Sequence, residues 1–126
     1  ETDELFEKEC AFVKKMAFAN THIFTFSPRE GTPAATMQQQ VPAKIAKQRY
    51  EQLDKITSEL KTAFIASQLN ETLNVIFEKK SKDGFAYGWS DNYINVRCPS
   101  GSVPLNRLVA ITALSAGNGF IEGRLV

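Results

Sequence analysis

Residues 60–80 read LKTAFIASQLNETLNVIFEKK, and the spacing of their apolar residues changes partway through. Up to Phe64 the spacing is helical, 3.6 residues per turn; beyond it the period is 2, the signature of extended chain. A helix therefore gives way to strands near Phe64, and the chain divides into residues 1–62 and residues 63–126.

Downstream, five short strands are expected at about 69–78, 84–89, 93–98, 107–114 and 119–126. Turn-forming stretches join them: residues 80–84 (KSKDG), 90–92 (SDN), 99–104 (PSGSVP) and 117–119 (GNG). Strands this short and evenly spaced predict a small antiparallel barrel.

Upstream, one long helix is predicted from Pro42, which suits a first helical turn, to about Ser67. Its stripe is Ile45, Arg49, Leu53, Ile56, Leu60, Ala63 and Phe64. Its outer face sets Lys44, Lys47, Arg49, Lys55 and Lys61 against Glu51, Asp54 and Glu59, which reads as a solvated face or, less simply, an RNA-facing strip. Residues 3–18 form a second amphipathic helix, with Leu5, Phe6, Cys10, Phe12, Val13, Met16 and Ala17 on one arc and Glu9 as a misfit inside it. Thr2 can cap this helix, and Asp3 and Glu4 suit its positive end.

Between the helices, residues 21–26 (THIFTF) predict a strand covered on both faces, and the proline-bounded stretch 27–33 predicts a loop at its C-terminal end. In parallel sheets that end carries ligand sites. His22, the single histidine, is then expected to be a hydrogen-bonded core residue.

Hydrophobic residues make up 43% and charged residues 23%, as in an ordinary globular protein rather than a disordered one. Lys and Arg number 15 against 14 acidic residues, so net charge points neither toward nor away from nucleic acid. Cys10 and Cys98 stand far apart without a metal-binding spacing, and no secretory or membrane-spanning stretch is visible; reduced thiols in a cytoplasmic protein are expected. A chain of 126 residues opening on Glu1 reads as a trimmed piece of a longer protein.

In the third strand Ile94 and Val96 are expected to point inward, leaving Tyr93, Asn95 and Arg97 outside. A ring to stack on a base, an amide to read its edge and a guanidinium for phosphate make a single-stranded RNA surface, although such residues also serve solubility. In the second strand Phe85, Tyr87 and Trp89 share one face, with Ala86 and Gly88 on the other. Three aromatics on one face could form a stacking platform, but a barrel this small needs large apolar side chains to fill it, so core is the favoured reading for Phe85 and Tyr87, and Trp89, at the strand end, is left more open. No catalytic triad, phosphate loop or paired-carboxylate motif is present.

Three stretches together resemble the radical S-adenosylmethionine methylthiotransferases. Residues 1–4 (ETDE) look like the end of that family's FPGET segment, residues 22–35 (HIFTFSPREGTPAA) are similar to its GTPAA signature, and Val41-Pro42 before a helix is similar to its sequel. The resemblance implies an α+β chain. Residues 1–62 become a helix-strand-helix remnant of the radical α/β barrel, and residues 63–126 a TRAM domain, a small OB-like RNA-binding barrel.

The family uses S-adenosylmethionine and two iron-sulfur clusters, but the cluster cysteines are absent here, so no cofactor, metal or activity is expected of this piece alone. By resemblance Glu1 lies near the S-adenosylmethionine site. Arg29 holds cofactor or substrate anions, or else anchors its loop. Trp89, Tyr93, Asn95 and Arg97 bind RNA.

Residues 88–96 (GWSDNYINV) look most like the branch that methylthiolates N6-threonylcarbamoyladenosine beside the tRNA anticodon. The alternatives are isopentenyladenosine in tRNA, or a ribosomal-protein aspartate with the barrel as a protein-interaction module. The partners implied are the tRNA anticodon stem-loop and the N-terminal parts of the same enzyme, with no membrane. Phe12, Ile23 and Phe24, lacking their usual cover, predict dimerisation or disorder before about residue 40 in isolation.

Overall fold

A computed structural model describes residues 1–126 as an α+β chain that divides into two compact units, Glu1–Leu60 and Lys61–Val126. Three helices, α1 (Asp3–Met16), α2 (Pro33–Thr36) and α3 (Ala43–Ser67), precede five strands.

In the first unit α1 starts where the sequence places it. The Thr2 hydroxyl accepts a hydrogen bond from the Leu5 N–H at 3.2 Å, and Asp3 and Glu4 occupy the first turn. It ends two residues early because Ala17 turns left-handed, at φ 49°, and donates its N–H to the Val13 carbonyl. Phe6, Cys10 and Val13 are buried with Leu53 and Ile56 of α3, while Ile23 and Leu60 pack at the edge. The apolar stripe is narrower than expected. Leu5, Phe12, Met16 and Glu9 all lie exposed, so Glu9 is no misfit.

The expected strand at 21–26 does not form. Its residues find no ladder partner, because every strand of the chain is committed to the second unit's barrel. Thr21 and Ile23 are half-buried, Ile23 against the helices, and Phe24 is 86% exposed. His22 is exposed as well and is not the core histidine anticipated.

The second unit is a closed barrel of β1 (Thr72–Lys80), β2 (Phe85–Ser90), β3 (Asn95–Pro99), β4 (Leu108–Ala116) and β5 (Phe120–Leu125), in the order β1-β2-β3-β5-β4. It is mixed, not antiparallel: β3 and β5 run parallel, Asn95 beside Phe120 and Arg97 beside Glu122. Parity requires this, since a ring of five strands cannot reverse direction at every neighbour. The third strand also starts two residues later than expected, because a turn takes Asp91, Asn92 and Tyr93.

Val75, Phe77, Val96, Ile111 and Ile121 fill the interior, joined by Ile65 from the end of α3 and Val103 from the loop after β3. Each such side chain, fully buried, stabilises the fold by about 1.5–3 kcal/mol. Ile94 and Val96 point inward as expected.

The assignment of Phe85 and Tyr87 to the core is reversed. Ala86 and Gly88 face inward, and all three aromatics of β2 face out. Phe77 explains the exchange: a Cβ on Gly88 would collide with the Ile76 carbonyl and come within 2.7 Å of the Phe77 Cα. The tight curl of β1 against β2 therefore admits only small residues on the inner face of β2.

Candidate nucleic-acid interface

Because β2 turns its large side chains outward, the outer surface of the barrel is ordered in rows set by strand register. One row crosses all five strands: Leu108 beside Ile76, Ile76 beside Trp89, Trp89 beside Asn95, and Asn95 beside Phe120. Parallel to it runs a charged row, Lys79, Tyr87, Arg97 and Glu122. A bulge between Phe77 and Lys79 brings Lys79 opposite Tyr87, its ammonium 6.0 Å from the ring centre.

Arg97 is the most constrained member. Its guanidinium lies 4.6 Å from the Phe85 ring centre and 4.7 Å from that of Phe120, and both Nε and Nη2 donate to the Glu122 carboxylate, at 2.9 and 2.7 Å. The hydrogen bond to Glu122 raises the guanidinium further above its ordinary value, against the opposing effect of burial. Arg97 thus ties β2, β3 and β5 together across the parallel pair, and it meets any ligand with part of its charge already balanced. Proximity to Glu122 and Phe120 was not legible in the sequence, since they sit 25 and 23 residues away and the parallel register alone brings them together.

Next to this surface, the turn after β2 is built on buried Ser90. Its hydroxyl accepts from the Ile94 N–H at 2.9 Å and donates to Asn92 Oδ1 at 2.5 Å, and Asn92 in turn donates to Gln68 Oε1 at 3.0 Å. The Asp91 N–H donates to the Asn74 carbonyl, and the Asn74 amide donates to the Asp91 carboxylate at 3.2 Å. Held from so many sides, Tyr93 adopts φ 63°, a conformation unfavourable for a bulky residue, and its ring is 77% exposed. Tyr93, Asn95, Arg97 and Trp89 thus all lie on the outer surface or its adjoining turn, with Asn95 and Arg97 half-buried.

The other anticipated residues lie in the first unit. Glu1 is held by Arg49, whose Nη1 donates to the Glu1 carboxylate at 2.8 Å while Nη2 reaches Asp3 at 2.7 Å, with the Phe6 ring 5.4 Å away. Arg49, read from the sequence as part of a stripe or a basic face, is instead the anchor of the chain's first residues. The Arg29 carbonyl accepts from the Thr32 N–H and hydroxyl, while its side chain is exposed and makes no ion pair. Its loop is anchored through backbone, not through an acidic partner.

No group of three or more His, Cys, Asp or Glu side chains is arranged to hold a metal ion. Cys10 and Cys98 are free and buried in different units, and burial raises both thiols above their ordinary value, which disfavours the thiolate a metal needs. These residues do not fit an iron-sulfur cluster. No helix is long and apolar enough to cross a membrane.

No protein-family model matches the chain. Among curated proteins it is 30% identical over its whole length to a threonylcarbamoyladenosine tRNA methylthiotransferase of Bacillus subtilis, covering 29% of that protein. It is 28% identical over its whole length to a tRNA-2-methylthio-N(6)-dimethylallyladenosine synthase of Bacillus pumilus, covering 25%. An enzyme of that second name from Ehrlichia canis is 40% identical over 64% of the chain, covering 18% of the relative. The chain is distantly homologous to tRNA methylthiotransferases. It spans less than a third of the length of these relatives.

Proposed function

We propose that the chain is the C-terminal part of a radical S-adenosylmethionine methylthiotransferase that modifies N6-threonylcarbamoyladenosine beside the tRNA anticodon, and that its barrel grips the anticodon stem-loop. Residues 1–62 are then the last elements of the radical domain and residues 63–126 the TRAM domain. S-adenosylmethionine and the clusters supply the radical chemistry in the parent. Here Glu1, oriented by Arg49, and Arg29, with its charge unpaired, are the residues offered to cofactor or substrate.

The observation that carries the reading is the outward aromatic surface of β2 and the adjoining turn. Trp89 and Tyr93 present exposed rings on which unpaired bases can stack, Asn95 offers an amide, and Arg97 and Lys79 supply positive charge beside them. A base next to the anticodon is already unpaired, so presenting it costs little. Near-equal identities to enzymes of two substrates, 30% and 28%, leave the choice of base to residues 88–96 (GWSDNYINV).

The test is anisotropy of a labelled anticodon stem-loop titrated with the chain at two salt concentrations. Binding must weaken as salt rises. Trp89→Ala and Tyr93→Ala should each weaken it by roughly 5- to 150-fold, the worth of one base–aromatic stack. Lys14→Ala should leave it unchanged. No binding at low salt refutes the RNA role, and a reconstituted parent that leaves threonylcarbamoyladenosine unmodified in tRNA mass spectrometry refutes the substrate.

A further inference from the structure

Beside the Arg97 cluster lies a groove of about 260 Å³ lined by Ile76, Glu78, Trp89, Ser90, Asp91 and Leu108. Its floor is the apolar end of the cross-barrel row: Leu108, Ile76 and Trp89 are 64%, 44% and 49% exposed, a contiguous patch with no protein cover. The volume lies just below the range of about 300–1,000 Å³ typical of sites for drug-sized ligands, and so suits a single flat base.

The charged groups at the groove are both carboxylates, and the Ser90 hydroxyl is already engaged by the Ile94 N–H and Asn92. Asp91 is oriented by the Asn74 amide, and Glu78, at the β1 bulge, has no hydrogen-bonding partner. Two carboxylates accept hydrogen bonds and repel phosphate. Whatever fills the groove must therefore enter ring first, carry N–H donors on its edge, and keep its phosphates toward Lys79 and Arg97.

We infer that this groove binds an unpaired guanine, stacked on Trp89 between Ile76 and Leu108, with its edge read by the carboxylates of Asp91 and Glu78. Guanine alone among the four bases places two adjacent donors, N1–H and N2–H₂, on one edge, matching the two oxygens of a carboxylate. Uracil flanks its single N–H with two carbonyls that a carboxylate repels. Adenine and cytosine offer one donor group beside an acceptor. The inference deepens the RNA-binding reading above and rests on it: Arg97 and its neighbours supply salt-dependent attraction, and the groove supplies base preference.

Trp89 is the only tryptophan, so its emission reports on this groove alone. The experiment titrates the 126-residue chain with labelled U-rich heptanucleotides carrying a single central guanine, inosine, adenine or uracil, recording anisotropy and Trp89 emission together. The guanine oligonucleotide should quench Trp89 and bind at least about tenfold tighter than the uracil one, with inosine, lacking the N2 amino group, in between. Asp91→Asn or Glu78→Gln should erase that preference and leave the salt dependence unchanged. Glu78→Gln removes no hydrogen bond of the folded chain, so it serves even if Asp91→Asn perturbs the turn.

Equal anisotropy changes for guanine and uracil, or binding without a change in Trp89 emission, overturns the groove assignment and leaves the RNA role standing. No anisotropy change with any oligonucleotide at low salt removes both. Quenching by an arginine-rich peptide but by no RNA gives the groove to a protein partner and overturns the inference.

Discussion

Two stretches of similar character have opposite fates in this chain. Residues 72–80 (TLNVIFEKK) and residues 21–26 (THIFTF) are both rich in β-branched and aromatic side chains. The first becomes β1, paired with β2 along one edge and β4 along the other, its Val75 and Phe77 fully buried. The second pairs with nothing and leaves Phe24 and Phe26 exposed. Local preference for extended chain is therefore insufficient; a strand exists where neighbours accept from its N–H groups and donate to its C=O groups. The barrel meets that need by closing on itself, and the stretch at 21–26 has no neighbour within these 126 residues.

The contrast is broken most forcefully by removing a side chain from each stretch. Phe77→Ala should cost about 3–5 kcal/mol in chemical denaturation, enough to threaten a barrel of this size. Phe24→Ala, at an exposed position, should stay within about 0.5 kcal/mol of the parent chain. A comparable loss from both would mean that residues 21–26 are packed far more tightly than their exposure indicates.

A second probe concerns why β2 shows its aromatics to solvent. Gly88→Val drives a branched side chain into the Ile76 carbonyl and should lower stability by about 1–3 kcal/mol, through overpacking rather than lost burial. Urea denaturation checks it, and an unchanged midpoint would remove close approach as the reason for the inverted face.

Smaller, and opposite in sign, is the effect expected at the turn. Tyr93→Gly relieves a positive φ and should raise stability by about 0.5–1 kcal/mol while weakening RNA binding. Gain in one assay with loss in the other separates strain retained for binding from strain imposed by folding. A variant that loses in both assigns the ring a packing role.

The smallest effect is one of pH at the β1–β2 connection. Hydrogen bonds from the Tyr87 hydroxyl, at 2.5 Å, and the Phe85 N–H hold the Asp83 carboxyl below its ordinary value. A depressed folded value means the contribution is present above the ordinary carboxylate range near pH 3.9 and is lost as pH falls through the folded value. The same bond raises the Tyr87 phenol, so its share is present below about pH 10 and lost as pH rises through the folded value. The Tm difference between the parent chain and Asp83→Asn should be steady near neutrality and shrink below about pH 4. A difference independent of pH would assign the effect to something other than the carboxylate.

The change of period near Phe64, the five strands and the inward placement of Ile94 and Val96 were readable in the sequence, because alternation and turn residues are local signals. Start and capping of α1 were readable for the same reason: Thr2, Asp3 and Glu4 act within one turn of themselves. Which face of β2 points inward was not, since alternation marks two faces and the aromatic one looked like core; only the curl of β1 over Gly88 decides it. Nor was the partnership of Arg97 with Glu122, Phe85 and Phe120, or that of Arg49 with Glu1 and Asp3, readable from spacing.

Sequence by itself determined that this chain holds helices followed by a small barrel with aromatic and basic residues near its second and third strands. Closure of the five strands into one ring, which requires a parallel pair by parity, was not part of that reading, which expected an antiparallel barrel. Tertiary structure alone decided that the pair is β3 and β5, that Arg97 is clamped there, and that Leu108, Ile76 and Trp89 meet in one groove. Those facts depend on register between distant segments, which hydrogen bonds and packing set together and no single stretch of residues encodes.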